Sequence, residues 1–83
     1  MQLLSPEDYG LNTKVRLIQS KDHIGIVIDR KSRIIMKDGI RILGQAKKIR
    51  HKTNNVIRLY TSAPVCSKTE VFLNKNNILI DSI

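Results

Sequence analysis

The stretch from Arg33 to Thr61, RIIMKDGIRILGQAKKIRHKTNNVIRLYT, constrains the chain most, because it sets one amphipathic helix between two strand-like runs. At 100° per residue Ile42, Leu43, Ala46 and Ile49 fall in one arc, and Arg41, Gln45, Lys48 and Lys52 fall opposite. Arg50 lies inside the apolar arc, where its stem can follow the core while its head reaches water. Asp38 is placed to cap a helix running from about Gly39 to Lys52. Such a unit packs its helix on parallel strands through a right-handed crossover.

On the N-terminal side, Ser5-Pro6-Glu7-Asp8 is a helix start that Gly10 cuts short, so one turn is expected, covering an end of the core with Leu3, Leu4 and Leu11. Alternation predicts a strand over Thr13–Ser20 and a second over Ile24–Ile28, separated by a turn at Lys21-Asp22-His23. Asp29-Arg30-Lys31-Ser32 has the length of a tight hairpin loop, leading to a third strand over Arg33–Lys37. Beyond the helix come a fourth strand, Val56–Thr61, and a capping box, Ser67-Lys68-Thr69-Glu70, that opens a second helix. That helix carries Val71, Phe72 and Leu73 and stops at Asn76-Asn77, before a last strand over Ile78–Asp81. Gly44, inside the first helix, costs about 1 kcal/mol relative to Ala; close packing against the sheet is the expected reason.

The order is therefore β-β-β-α-β-α-β in a single small domain spanning 1–83. The fourth strand decides the number of layers. A parallel strand covered on both faces is a continuous apolar run, yet Arg58 interrupts VIRLY. Both helices should then pack on the Ile57/Leu59 side. The predicted class is α/β, with α+β as the alternative: a two-layer sandwich with a mixed sheet of about five strands and two helices on one face. The open face would present Arg58 and Tyr60, joined by Arg16, Arg33 and Lys37 if neighbouring strands keep the same parity.

Fifteen Lys and Arg against seven acids give a net charge of +8 on 83 residues, which favours anionic partners such as nucleic acid or an acidic protein surface. Cys66 is the only cysteine, so no intramolecular disulfide can form and an oxidising compartment is not expected. MQLLSPEDYG lacks the cationic start and apolar core of a signal peptide, and no apolar run spans a bilayer. A cytoplasmic protein without a membrane partner is the expectation. His23 and His51 have the look of surface residues without metal spacing, the acids form no pair, and Gly25, Gly39 and Gly44 make no phosphate loop. No enzyme activity, metal or cofactor is expected.

Three functional readings follow. In the first, the protein binds nucleic acid, RNA in preference to DNA. Arg16, Arg33, Lys37 and Arg58 hold phosphates on the open sheet face, Tyr60 stacks on a base, and Arg41, Lys48 and Lys52 extend the field along the helix. In the second, it is a non-catalytic structural or adaptor module that forms a homodimer or larger homo-oligomer, through an apolar sheet face carrying Ile18, Val27 and Ile35 or through the C-terminal edge strand. The third centres on Cys66, with Ser67 and Thr69 at a helix start, as a thiol or anion-binding site. The segment VIRLYTSAPVCSKTEVFLNKNNI, Val56 to Ile78, is similar in outline to the strand–Cys–helix that opens a glutaredoxin, with Thr69 in place of the second cysteine of Cys-x-x-Cys.

Overall fold

The computed structural model describes residues 2–83. The chain runs β1 (Gln2–Leu4), a 3₁₀ turn (Pro6–Tyr9), β2 (Arg16–Gln19), β3 (His23–Ile28), α1 (Met36–Arg50), β4 (Val56–Thr61), α2 (Ser67–Lys75) and β5 (Ile78–Ser82). The five strands lie in one mixed sheet in chain order; β1, β2 and β3 pair antiparallel, and β3, β4 and β5 pair parallel. The β-β-β-α-β-α-β order and the two-layer α/β sandwich agree with the sequence expectation. The strands that fill the order differ at its start.

One sheet face is covered by both helices. Leu17, Ile24, Ile26, Ile57, Leu59 and Ile78 point to that side and meet Ile42, Ala46 and Ile49 of α1 and Leu73 of α2, all at most 1% exposed. Most of the driving force for folding comes from this seam, since each Ile or Leu side chain withdrawn from water contributes about 1.5–3 kcal/mol. Isoleucine dominates it, and its β-branch suits the pleated strand positions.

The predicted third strand over Arg33–Lys37 is not formed. Ile34 alone makes a parallel bridge, to Val65, with its N–H donating to the Pro64 carbonyl and its own carbonyl accepting from the Cys66 N–H, both at 2.9 Å. Ile35 is the N-cap of α1, and the helix starts at Met36, three residues ahead of the expected Gly39. Asp38 is thus the third helical residue rather than the cap. Its carboxylate still serves the helix start, accepting from the Ile35 N–H at 3.0 Å. Asp29–Ser32 consequently opens the crossover from β3 to α1 instead of closing a hairpin.

The missing strand is replaced at the other end by β1, where Leu3 is 77% exposed on the open face rather than covering the core. The turn at Pro6–Tyr9 forms as expected and ends at Gly10, whose φ of 74° is a left-handed conformation that glycine adopts at little cost. Helix α2 also begins early: Cys66 is its N-cap, Ser67 its first residue, and the predicted capping box does not form. Arg50 does leave the apolar arc by its head group, which donates to the carbonyls of Asn76 (2.9 Å) and Asn77 (3.1 Å) beyond the end of α2. It meets carbonyls that the helix itself cannot satisfy.

Gly44 is exposed, and a Cβ there would meet nothing within 4 Å, so close packing is not its reason. The close approach is at Gly39, where a Cβ would sit 2.8 Å from the Thr69 methyl and 3.4 Å from the Phe72 ring. Replacing Gly44 by Ala should therefore stabilise the fold by about 1 kcal/mol through helix propensity. Gly39→Ala should destabilise it by about 1–3 kcal/mol by forcing α1 and α2 apart. Urea unfolding of the two variants checks the opposite signs.

Candidate nucleic-acid interface and the open sheet face

Pairing register places Leu3, Arg16, Ile18, His23, Gly25, Val27, Val56, Arg58, Tyr60, Leu79 and Asp81 on the face away from the helices. This face is less basic than expected. Arg33 and Lys37 are not on it, because the strand that would have carried them is a crossover loop and the first turn of α1. Ile35 is absent for the same reason. Arg58 donates to the Asp81 carboxylate at 2.8 Å, a partly exposed pair that cancels its charge. Opposite charges diagonal to one another on adjacent strands attract in this way.

Tyr60 lies over β3. A Cβ on Gly25 would fall 2.5 Å from the Tyr60 ring, so the glycine makes room for the aromatic to cross the strand. The Tyr60 hydroxyl and His23 Nε2 are hydrogen-bond partners at 2.5 Å, and the two rings stack with centroids 5.8 Å apart. His23, expected at the surface, has a side chain only 15% exposed. Around this pair the face is apolar, with Leu3, Val56 and Leu79 exposed and Ile18 and Val27 half-buried.

The cations concentrate on the helix layer. Lys37, Arg41, Lys47, Lys48 and Lys52 are exposed along the outer side of α1 and the turn after it, a track of about 20 Å. Lys52 donates to the Asp8 carbonyl at 2.6 Å and Lys48 approaches the Gly10 carbonyl at 3.4 Å, which anchors the N-terminal turn beneath the end of the track. Arg41 contacts Asp38 at 3.0 Å. Sequence reading missed Lys47, which stands on the same outer surface. A groove between the start of β2 and α1 is lined by Lys14, Arg16, Arg41, Asn12 and Gln45 over Val15 and the end of β3. Arg16 from the predicted sheet cluster and Arg41 from the predicted helix stripe meet there.

The third cluster lies at the carboxyl end of the parallel strands, where the Ile34–Val65 bridge sets the starts of α1 and α2 side by side. Asp38, 9% exposed, serves the first start. It accepts from Arg30 at 2.6 Å, which in turn donates to the carbonyls of Ser32 and Arg33 and so pins the crossover loop. The Arg30 hydrogen bond, followed by the Ile35 N–H, holds the Asp38 carboxyl below the ordinary aspartate range against the opposing effect of burial. At the second start Cys66 is half-buried. Its sulfur makes no cap hydrogen bond. Even so, the N–H groups of Lys68 and then Thr69, with the Thr69 hydroxyl and Arg33 adding, hold the thiol below its ordinary pKa.

Among the described residues no group of three His, Cys, Asp or Glu could hold a metal ion, and no helix is long and apolar enough to cross a membrane. No family model, curated protein or solved structure matches the chain.

Because the folded pKa of Asp38 is depressed, its contribution to stability is complete above the unfolded value and is lost as pH falls through the folded one. Asp38→Asn should cost about 2 kcal/mol at neutral pH, through the lost charge-assisted bonds and helix-start contact. The gap between wild type and variant should close on acidification below about pH 4. Denaturation at a series of pH values reads it; a gap independent of pH would contradict the ion-pair assignment.

Proposed function

We propose that the protein is a small non-catalytic nucleic-acid-binding module that holds RNA, in preference to duplex DNA, by its phosphate backbone. The observation that carries this reading is the shared groove. Lys14 and Arg16 of the β2 side line it together with Arg41, joining the sheet cations to the basic track of α1. Phosphate contacts need clustered Lys and Arg, and this surface supplies them without an exposed acid on α1. The preference for RNA rests on Tyr60. Arg16, Val27 and Tyr60 form one row across β2, β3 and β4, so the ring lies about 10 Å from a backbone held at Arg16. An unpaired base could splay onto it, whereas duplex bases could not. A cytoplasmic setting goes with this reading.

Fluorescence anisotropy across a salt series, with mixed-sequence single-stranded RNA and duplex DNA, tests it. Affinity should fall steeply with salt, and the Lys37→Gln, Lys48→Gln, Lys52→Gln triple variant should reduce the log–log slope by about 2. Arg58→Gln, which removes an internally paired charge, should leave the slope unchanged. Millimolar affinity at low salt, or a flat salt response, would sink the proposal. Preferential capture of an acidic protein surface in place of both nucleic acids would also count against it.

A second reading has its own support: the open face exposes Leu3, Val56 and Leu79 around a neutral Arg58–Asp81 pair. Two copies meeting there would keep their basic α1 tracks on opposite outer sides, so the net charge would not oppose a homodimer. The edge strand β5 offers a second route to self-pairing. A dilution-resistant dimer by light scattering, disrupted by Leu79→Lys, would favour this adaptor role; a monomer at all concentrations would remove it.

A further inference from the structure

The groove between β2 and α1 is more than a basic surface. Its β2 side is shaped by a tight turn, in which the Val15 N–H donates to the Asn12 carbonyl at 3.0 Å and the Lys14 N–H donates to Asn12 Oδ1 at 2.9 Å. Asparagine forms turns in this way. With its oxygen engaged, Asn12 keeps two amide N–H donors for another partner. The turn brings Lys14 and Arg16 to the groove, and α1 adds Arg41 and Gln45, one helical turn apart. Among the described residues neither Lys14 nor Arg16 enters an ion pair. Arg41 meets Asp38 at 3.0 Å and retains further N–H donors. Asp29, next to the end of β3, is held by the Ser62 hydroxyl at 2.6 Å, and no acid among the described residues lines the groove. The apolar part of the lining comes from Val15 and the end of β3, where Val15 and Ile28 are half-buried and reachable by a ring. Gln45 is half-buried beside them, and its carboxamide has no hydrogen-bond partner among the described residues.

We propose that this groove is a nucleotide pocket that receives one unpaired base of a bound RNA strand together with its flanking phosphates. The inference rests on the RNA-binding reading and assigns that surface a second kind of contact. A purely phosphate-holding surface needs cations alone. Here an apolar floor and two carboxamides accompany them. The cavity volume of about 370 Å³ is that of a small-molecule cleft. Val15 and Ile28 pack against the base, the Asn12 and Gln45 amides meet its polar edge, and Lys14, Arg16 and Arg41 take the phosphates on either side. Carboxamides pair with base edges through their combined donors and acceptors.

Binding of the full chain to a mixed-sequence RNA octamer and to a fully abasic octamer with the same phosphates tests this, with Gln45→Ala as the variant. Alanine suits a helix interior, so the variant should fold as stably as wild type. It should bind the base-bearing octamer about three- to tenfold more weakly, leave the abasic octamer unaffected and keep the salt slope, because no charge is removed. Equal binding of the base-bearing octamer by variant and wild type would overturn the pocket while leaving the phosphate-binding reading standing. An equal loss on both octamers would overturn it as well, since the amide would then not be reading a base. Adenosine 5′-monophosphate binding as tightly as the octamer would assign the groove to a free nucleotide and contradict its place in a strand site. No affinity for either octamer at low salt would overturn the pocket and the RNA-binding reading together.

Discussion

The carboxylate of Asp38 closes the start of α1 through the Ile35 N–H, ties down the β3–α1 crossover through Arg30 and engages Arg41 on the helix surface. The three arrangements share one buried charge, so they form or fail together. Burying a carboxylate is expensive unless its oxygens are matched, and here both are, by two guanidinium groups and an amide. The crossover held in this way brings Ile34 beside Val65, and the bridge between them brings the two helix starts together. The environment of Cys66 is thus a consequence of Asp38, two elements away.

The layer architecture leaves little net charge on the open sheet face. One face of the sheet is sealed by α1 and α2 around an isoleucine-rich seam. The other is left bare, and its one interior cation is cancelled by Asp81. The excess of +8 is consequently carried by loops and by the outside of the helices, with Arg16 at the rim joining the α1 side through the groove. A basic surface and an apolar surface on opposite sides can act independently: one toward phosphates, the other toward a second chain.

Much of the fold was legible in the sequence because hydrophobic period is a strong signal in this chain. Ile42, Ala46 and Ile49 marked the α1 face, and Arg58 within VIRLY marked the uncovered side of β4. The Arg33–Lys37 segment failed for a specific reason. Ile34-Ile35-Met36 is as apolar as a strand, but only Ile34 finds a pairing partner, and the pull of Asp38 on the Ile35 N–H starts the helix first. That one error placed Arg33 and Lys37 on the wrong surface. The Arg58–Asp81 pair was out of reach of sequence reading because it depends on the β4–β5 register. The partnership of Tyr60 with His23 depends likewise on β3–β4 pairing and on a gap at Gly25; a lone glycine among isoleucines was the available clue.

The central claim is that the basic surface of α1 and its groove, rather than the sheet face, receives an anionic polymer. Amide chemical-shift mapping during titration with single-stranded RNA tests it most directly. The account predicts shifts concentrated at Lys14, Arg16, Lys37, Arg41, Gly44, Lys48 and Lys52, with smaller ones at Tyr60. Shifts centred on Leu3, Val56 and Leu79, or an unchanged spectrum at saturating RNA, would contradict it.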